Sequence, residues 1–267
     1  MGIEIIGYLL AVVVGISLGL VGSGGSILTV PILVYVMTID PVLATAYSLF
    51  VVGVTSLVGA VQNAFHKRVD FKTVVIFGIP SILAVYVTRA FIIPVIPDVL
   101  FNVGDFTFTR SIGLMVLFAI VMILAAISMI RPCPHCSDSD SVEIRYNYPL
   151  ILVEGILVGT LTGLVGAGGG FLIIPALVLL ARMPMKLAIG TSLLIIAAKS
   201  LLGFVGDLQA NTGIDWSLLT IFTGLSVVGI FVGIYLSARV AGNKLKTAFG
   251  WFILAMGVYI LIKEIFL

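Results

Sequence analysis

The sequence predicts an all-α polytopic membrane protein. It reads as two inverted-topology repeats of five helical segments, the second of each being a short half-helix behind a glycine-rich tip. Three observations predict this. First, 61% of the 267 residues are hydrophobic and only 10% are charged, and mean hydropathy is +1.29. A water-soluble domain carries about 25% charged residues, so too few charges remain here to cover a water-facing surface. That excludes a soluble enzyme and a disordered chain, and a net charge of +2 gives no footprint for nucleic acid. Second, the apolar residues fall into ten stretches. Third, the first five stretches recur in the last five.

Segment one, residues 5–21, has no basic residue before it, so it reads as a membrane segment and not as a cleavable signal peptide. Segment two, 26–37, follows a glycine cluster. At about 1.5 Å per residue it reaches only about 18 Å, short of about 30 Å of hydrocarbon, which suggests a half-helix that stops inside the membrane. Segments three to five, at 41–63, 73–93 and 107–130, are long enough to cross. The polar stretch 131–147 reads as a linker between a first repeat, 1–130, and a second, 148–267. Segments six to ten then follow at 149–165, 170–181, 185–206, 216–238 and 245–265, and the seventh is short like the second. If segments 1–2 and 6–7 are hairpins, the chain has six full crossings and two re-entrant pairs; otherwise all ten cross.

Lys and Arg set the orientation, because cytoplasmic loops carry the excess of them. Loop 64–72 holds His66, Lys67, Arg68 and Lys72, and loop 239–246 holds Arg239, Lys244 and Lys246. Arg182 and Lys186 flank another turn, and the linker holds Arg131 and Arg145. Loops 94–106 and 207–215 hold Asp98, Asp105, Asp207 and Asp215 with no Lys or Arg. The reading is therefore a multi-pass protein of the cytoplasmic membrane, with both termini outside and the linker inside.

The duplication is the strongest signal. Residues 19–34 read GLVGSGGSILTVPILV and 163–178 read GLVGAGGGFLIIPALV, identical at ten of sixteen positions with an offset of 144. The same offset matches Ala44 to Ala188, Ser48 to Ser192, Ser56 to Ser200 and Gly59 to Gly203. One residue of slip then aligns Val69-Asp70-Phe71 with Ile214-Asp215-Trp216. Five segments per half is an odd number, so the two halves enter the membrane from opposite sides. That architecture belongs to secondary transporters, whose substrates bind near mid-membrane at the repeat interface.

These paired glycine signatures, with the later Ala-x-x-x-Ser-Leu and Val-Asp-Phe elements, resemble those of the TauE/SafE sulfite exporter family. The resemblance covers both halves, apart from the linker. It implies movement of sulfite or a small organosulfonate across the cytoplasmic membrane, mostly outward.

The candidate substrate-binding residues start with Gly22, Ser23, Gly24, Gly25 and Ser26, and with Gly166, Ala167, Gly168, Gly169 and Gly170. Each cluster precedes a short helix, whose first N–H groups are unpaired and whose dipole is positive there. Two such tips facing each other at mid-membrane would cradle a small anion. The alternative is small residues for close helix packing. Lys199 lies deep in segment eight with no acid near it in sequence. A charge at mid-membrane costs about 2.5–3.5 kcal/mol, so it faces a cavity or a partner, an anion included; otherwise it snorkels to the outer interface. Its repeat mate is Thr55. Ser48, Thr191 and Ser192 offer hydroxyl donors to an anion, or bond their own backbone. Asp70 and Asp215 read as helix N-caps, Pro31 and Pro175 as bends. Glu154 reads as reaching the interface or pairing with a basic residue such as Arg145, with proton coupling as the alternative, and Arg89 as a snorkelling interfacial residue or an attractor of anions at the outer mouth.

Cys133-Pro-His-Cys136 supplies at most three ligands where a structural zinc needs four, and a second pair could come only from a dimer, so reduced thiols are expected and neither metal nor cofactor, with metal binding as the minority reading. The interior lacks a Ser/His/Asp set, a catalytic carboxylate pair or a haem-binding His pair. The chain thus reads as a transporter and not an enzyme, with a small anion and the lipid bilayer as its partners. Its energy comes from the substrate gradient or from a coupled proton or other ion. A passive anion channel built from the same cradles, and a membrane thiol-redox protein using Cys133 and Cys136, are the alternatives. Oligomeric state stays open, a homodimer included.

Overall fold

A computed structural model describes residues 2–22, 24–97, 99–103, 106–130, 148–165, 170–179, 183–210, 213–240 and 242–266. Among them run ten main helices. The first half holds α1 (Gly2–Val21), α2 (Gly24–Pro31), α3 (Pro41–Phe65), α4 (Phe71–Val87) and α5 (Arg110–Ile130). The second holds α6 (Tyr148–Val165), α7 (Gly170–Leu179), α8 (Met185–Ala210), α9 (Trp216–Ser237) and α10 (Gly242–Phe266). By length and composition, four stretches are long and apolar enough to cross a membrane: Pro41–Phe65, Phe71–Ile92, Met185–Leu208 and Trp216–Ser237. Ile5–Val21, Ile27–Val36, Ile112–Ile127, Leu152–Leu164 and Gly250–Lys263 are shorter apolar helices.

Local chemistry explains the helix ends. Asp40, Asp70 and Asp215 cap α3, α4 and α9, their carboxylates accepting backbone N–H groups of the first turns. Gly22 stops α1. It sits in the left-handed region at φ +76°, and its N–H returns to the Leu18 carbonyl at 2.6 Å, a terminus that glycine adopts without strain. Behind Pro31, α2 widens into a π-turn over Ile32–Val36, closed by the Met37 N–H on the Ile32 carbonyl at 3.0 Å.

One stretch departs from the expected plain loop. After Val87 the chain continues through a π-turn, Thr88–Ile92, and a short helix, Ile93–Val95. It then forms an antiparallel strand pair, β1 (Val99–Val103) with β2 (Phe106–Thr109), with Phe101 in register with Phe108. The fifth segment therefore begins at Arg110 and not at 107. β-Branched and aromatic residues dominate both strands and favour extended pairing over a helical start.

Glycine contacts give the register of the packing. A Cβ built on Gly15 would lie 1.9 Å from the Ser226 carbonyl oxygen, and one on Gly159 would lie 2.5 Å from that of Ser81. One on Gly19 would meet the Ile230 carbonyl oxygen at 2.4 Å, and one on Gly163 that of Val85 at 3.2 Å. So α1 lies along α9 as α6 lies along α4, at positions related by the repeat. Between them α3 and α8 cross antiparallel. Gly59 meets Leu193 (Cβ to Cδ1 3.2 Å) and its counterpart Gly203 meets Leu49 (3.3 Å). Helices α5 and α10 also run antiparallel, since Gly250 packs on Ile130 and Gly257 on Ile123 and Ala119. The α3–α8 pair is central: 61% and 72% of their apolar windows are buried, against 29% for the α4 window and 44% for α9.

Candidate functional site

The centre of the α3–α8 crossing holds the chain's most unusual residue. Midway between the contacts at Leu193 and Gly203 lie Ala198 and Lys199, and midway between Leu49 and Gly59 lie Val54 and Thr55. Lys199 and its repeat mate Thr55 therefore share the depth about which the two halves are exchanged. Lys199 is 1% exposed, so its side chain does not snorkel to an interface. Its Nζ donates to the Thr162 hydroxyl at 3.1 Å, and the Thr162 hydroxyl in turn donates to the Val158 carbonyl. Among the described residues no carboxylate lies within ion-pair distance of Nζ.

The buried hydroxyls, Thr162 aside, fall into two groups. Thr29, Thr88, Thr160 and Thr223 each return their proton to a carbonyl four residues back, the usual habit of a helical hydroxyl. Ser48, Thr55, Ser56, Ser81 and Ser200 are buried and have no hydrogen-bond partner among the described residues. A buried hydroxyl without a partner costs about 1–3 kcal/mol, so Thr55, Ser56, Ser81 and Ser200, on three helices at about the level of Lys199, describe a polar region and not an ordinary apolar core; Ser48 lies about two turns away, beside the Leu49 contact.

The other sequence candidates separate. Gly22 lies against Ile189, one turn inside the start of α8. That is ten residues from Lys199, about 15 Å along the helix at about 1.5 Å per residue. The first tip is thus not at the depth of Lys199, because α1, 20 residues long and fixed on α9, carries it nearly to the far end of the bundle. Gly25 packs dry: a Cβ there would lie 2.4 Å from the Val14 carbonyl oxygen. Gly24 and Ser26 belong to the first turn of α2, and Gly170 opens α7. Ser23, Gly166, Ala167, Gly168 and Gly169, together with linker residues Cys133 and Cys136, lie outside the described residues.

Ser192 donates to its own Ile189 carbonyl at 2.9 Å and reaches the Gly22 carbonyl at 3.5 Å. Thr191 accepts the Asp70 N–H at 3.0 Å. The repeat-related bond runs from the Asp215 N–H to the Tyr47 hydroxyl at 2.6 Å. Each half thus pins the loop before the other half's fourth helix, with different chemistry at equivalent places. Near Tyr47, Trp216 meets Phe50 and Phe204 edge to face, and Phe50 and Phe204 are tilted against each other with centroids 5.0 Å apart. At the opposite end the equivalent positions are Leu194, Ala60 and Phe71. Sequence reading missed Thr162 and Ser81. Their only signal was helical spacing relative to glycines 155, 159 and 163, which cover α4 at the residues flanking Ser81.

Comparison with known proteins agrees with this description. The family profile described as "Sulfite exporter TauE/SafE" matches residues 7–260. A probable membrane transporter protein of Xylella fastidiosa (strain 9a5c) is 29% identical over 254 residues, covering 93% of this chain and 91% of that protein. One from Methanocaldococcus jannaschii is 28% identical and covers 95% of both chains. One from Bacillus subtilis (strain 168) is 31% identical, covering 78% of this chain and 81% of its own. No solved structure matches the chain. With a match over nearly its whole length, a multi-pass helical architecture and membrane transporters as its relatives, the chain belongs to the sulfite exporter TauE/SafE family.

Proposed function

We propose that the protein is a secondary transporter that exports a small sulfur oxyanion, sulfite or an organosulfonate, across the cytoplasmic membrane by alternating access. The observation that carries this reading is Lys199, a lysine 1% exposed at the crossing of the two central helices, with a threonine and no carboxylate beside it among the described residues. A charge there faces a cavity or a partner, and a transported anion is a partner present intermittently.

Inverted-topology repeats, 1–130 and 148–267 joined by a cytoplasmic linker at 131–147, supply the motion. The antiparallel crossing of α3 with α8 and of α5 with α10 supports this, because each is a pair of repeat mates. When one half rocks against the other, the site at the crossing opens first to one side and then to the other. Both termini lie outside in this scheme. To the amide-rich tips at residues 22–26 and 166–170 we assign the reception of the anion from water, as helix N-termini suit negative charge.

Flux of labelled sulfite and of a short alkylsulfonate into proteoliposomes tests the reading. The expected result is saturable uptake with counterflow, reduced at least tenfold in Lys199→Gln. No flux above empty vesicles would overturn it. Saturation without counterflow, accompanied by large single-channel currents, would replace the carrier with an anion channel.

A further inference from the structure

The repeat creates two equivalent three-helix junctions, one on each flank of the α3–α8 crossing. In the first, α1 and α9 meet α3; in the second, α6 and α4 meet α8. Extending the slip of one residue pairs Ser226 on α9 with Ser81 on α4. Both serines are fully buried, and both lend their carbonyl oxygens to a glycine contact, Ser226 to Gly15 and Ser81 to Gly159. Their side chains differ. Ser226 donates to the Ala11 carbonyl at 3.0 Å, whereas the Ser81 hydroxyl has no partner among the described residues. The charge follows the same division, for Lys199 in the second junction corresponds to Thr55 in the first.

Ser81 shares the depth of the Lys199 backbone. Gly78 faces Ile195 and Val85 faces Gly203, so α4 and α8 run parallel and Ser81 comes level with the backbone of Ala198 and Lys199. The Lys199 side chain reaches on to Thr162, next to Gly163, which meets Val85 and Thr88, so the ammonium lies about one turn further along α4 than Ser81. On α4, Phe77, Pro80 and Ala84 touch α6, while Gly78 touches α8 and Val85 touches both. Ser81 therefore sits where the three helices meet. Thr162 receives Lys199 Nζ on its oxygen and gives its own proton to Val158. It is thereby a positioning residue, saturated as a donor, that leaves the ammonium two further N–H groups.

We propose that the second junction, and not the first, holds the anion, with two N–H groups of Lys199 and the Ser81 hydroxyl donating to three oxygens of a small pyramidal or tetrahedral oxyanion. This deepens the transporter reading and rests on its placing an anion at Lys199.

Equilibrium binding of labelled sulfite to the purified full-length protein tests the assignment, alongside flux. Ser81→Ala should weaken binding roughly tenfold or more, as expected for losing a hydrogen bond to a charged group. Thr162→Val should weaken it too, with Thr162→Ser restoring it, a rescue that a mere packing role does not predict. Ser226→Ala should lower thermal stability and leave sulfite affinity unchanged. Ser81→Cys, which keeps the size without a strong donor, repeats the test if the alanine variant does not purify. Unchanged affinity in the Ser81 variants, or an equal loss in Ser226→Ala, overturns the assignment while leaving transport intact. Binding without flux overturns the transporter reading while leaving the site. Absence of sulfite binding to the wild-type protein overturns the site outright.

Discussion

At the scale of single residues, the chemistry lies in polar groups that the fold leaves buried. Lys199 was legible in the sequence as a charge deep in an apolar run. The Asp70 and Asp215 caps were legible because an aspartate just before a helix has one strong local use. What was not legible is every partner supplied by another helix: Thr162 for Lys199, Tyr47 for Asp215, Thr191 for Asp70. Those bonds depend on register between elements far apart in sequence. They can be tested singly. Tyr47→Phe removes the acceptor for the Asp215 N–H, and Asp215 is exposed, so water replaces the bond in part. The expected loss is about 1 kcal/mol, read as a lower melting temperature in detergent with sulfite affinity unchanged. A loss of affinity equal to that of Lys199→Gln would instead place Tyr47 in the anion site.

At the scale of elements, glycine decides how deeply each helix sits. Helices α1 and α9 bring Gly15 and Gly19 against Gly229 and Gly233, two glycines four residues apart on each side, and their backbones touch. Helix α6 does the same to α4 through Gly155, Gly159 and Gly163. In lipid, where apolar side chains gain little by meeting each other, such close approach is a main source of association. The glycine cluster at 22–26 looked like a binding tip because it precedes a short helix. The structure gives Gly22 and Gly25 local duties as well, stopping α1 and packing α2 on it. Depth was the part that sequence did not carry, since it is set by where α1 locks onto α9. Gly229→Ala tests this. Its Cβ would lie 2.2 Å from the Val12 carbonyl oxygen, so the helices must separate at an expected cost of about 1–3 kcal/mol. Gly224→Ala, with nothing within 4 Å, should be neutral or stabilising by up to about 1 kcal/mol through helix propensity. Equal melting temperatures for the two variants would show that the contact contributes nothing.

At the scale of the whole molecule, the duplication made the architecture readable: ten segments were located to within a few residues at most ends, because apolar length and glycine punctuation are local signals. The paired strands Val99–Val103 and Phe106–Thr109 carry only a short alternating signal, too weak to stand out within the loop that the sequence predicts at 94–106. Orientation across the membrane is a separate matter, resting on charge. The loop at 66–70 is pinned by Thr191 near the start of α8, and the stretch before α9 by Tyr47 near the start of α3. Because α3 and α8 cross antiparallel, these two loops lie at opposite ends of the central pair. The first carries His66, Lys67 and Arg68, while residues 213–215 carry only Asp215, so the positive-inside rule sends 66–70 to the cytoplasm. After Cys133 and Cys136 are changed to serine, His66→Cys and Gly213→Cys each present one thiol at an exposed site. A membrane-impermeant maleimide added to intact cells should label the cysteine at 213 at once and the one at 66 only after permeabilisation. Labelling of both from the same side would break the inverted arrangement, and with it the alternating access proposed above. Labelling in the reverse order would keep the repeat and turn the whole molecule over.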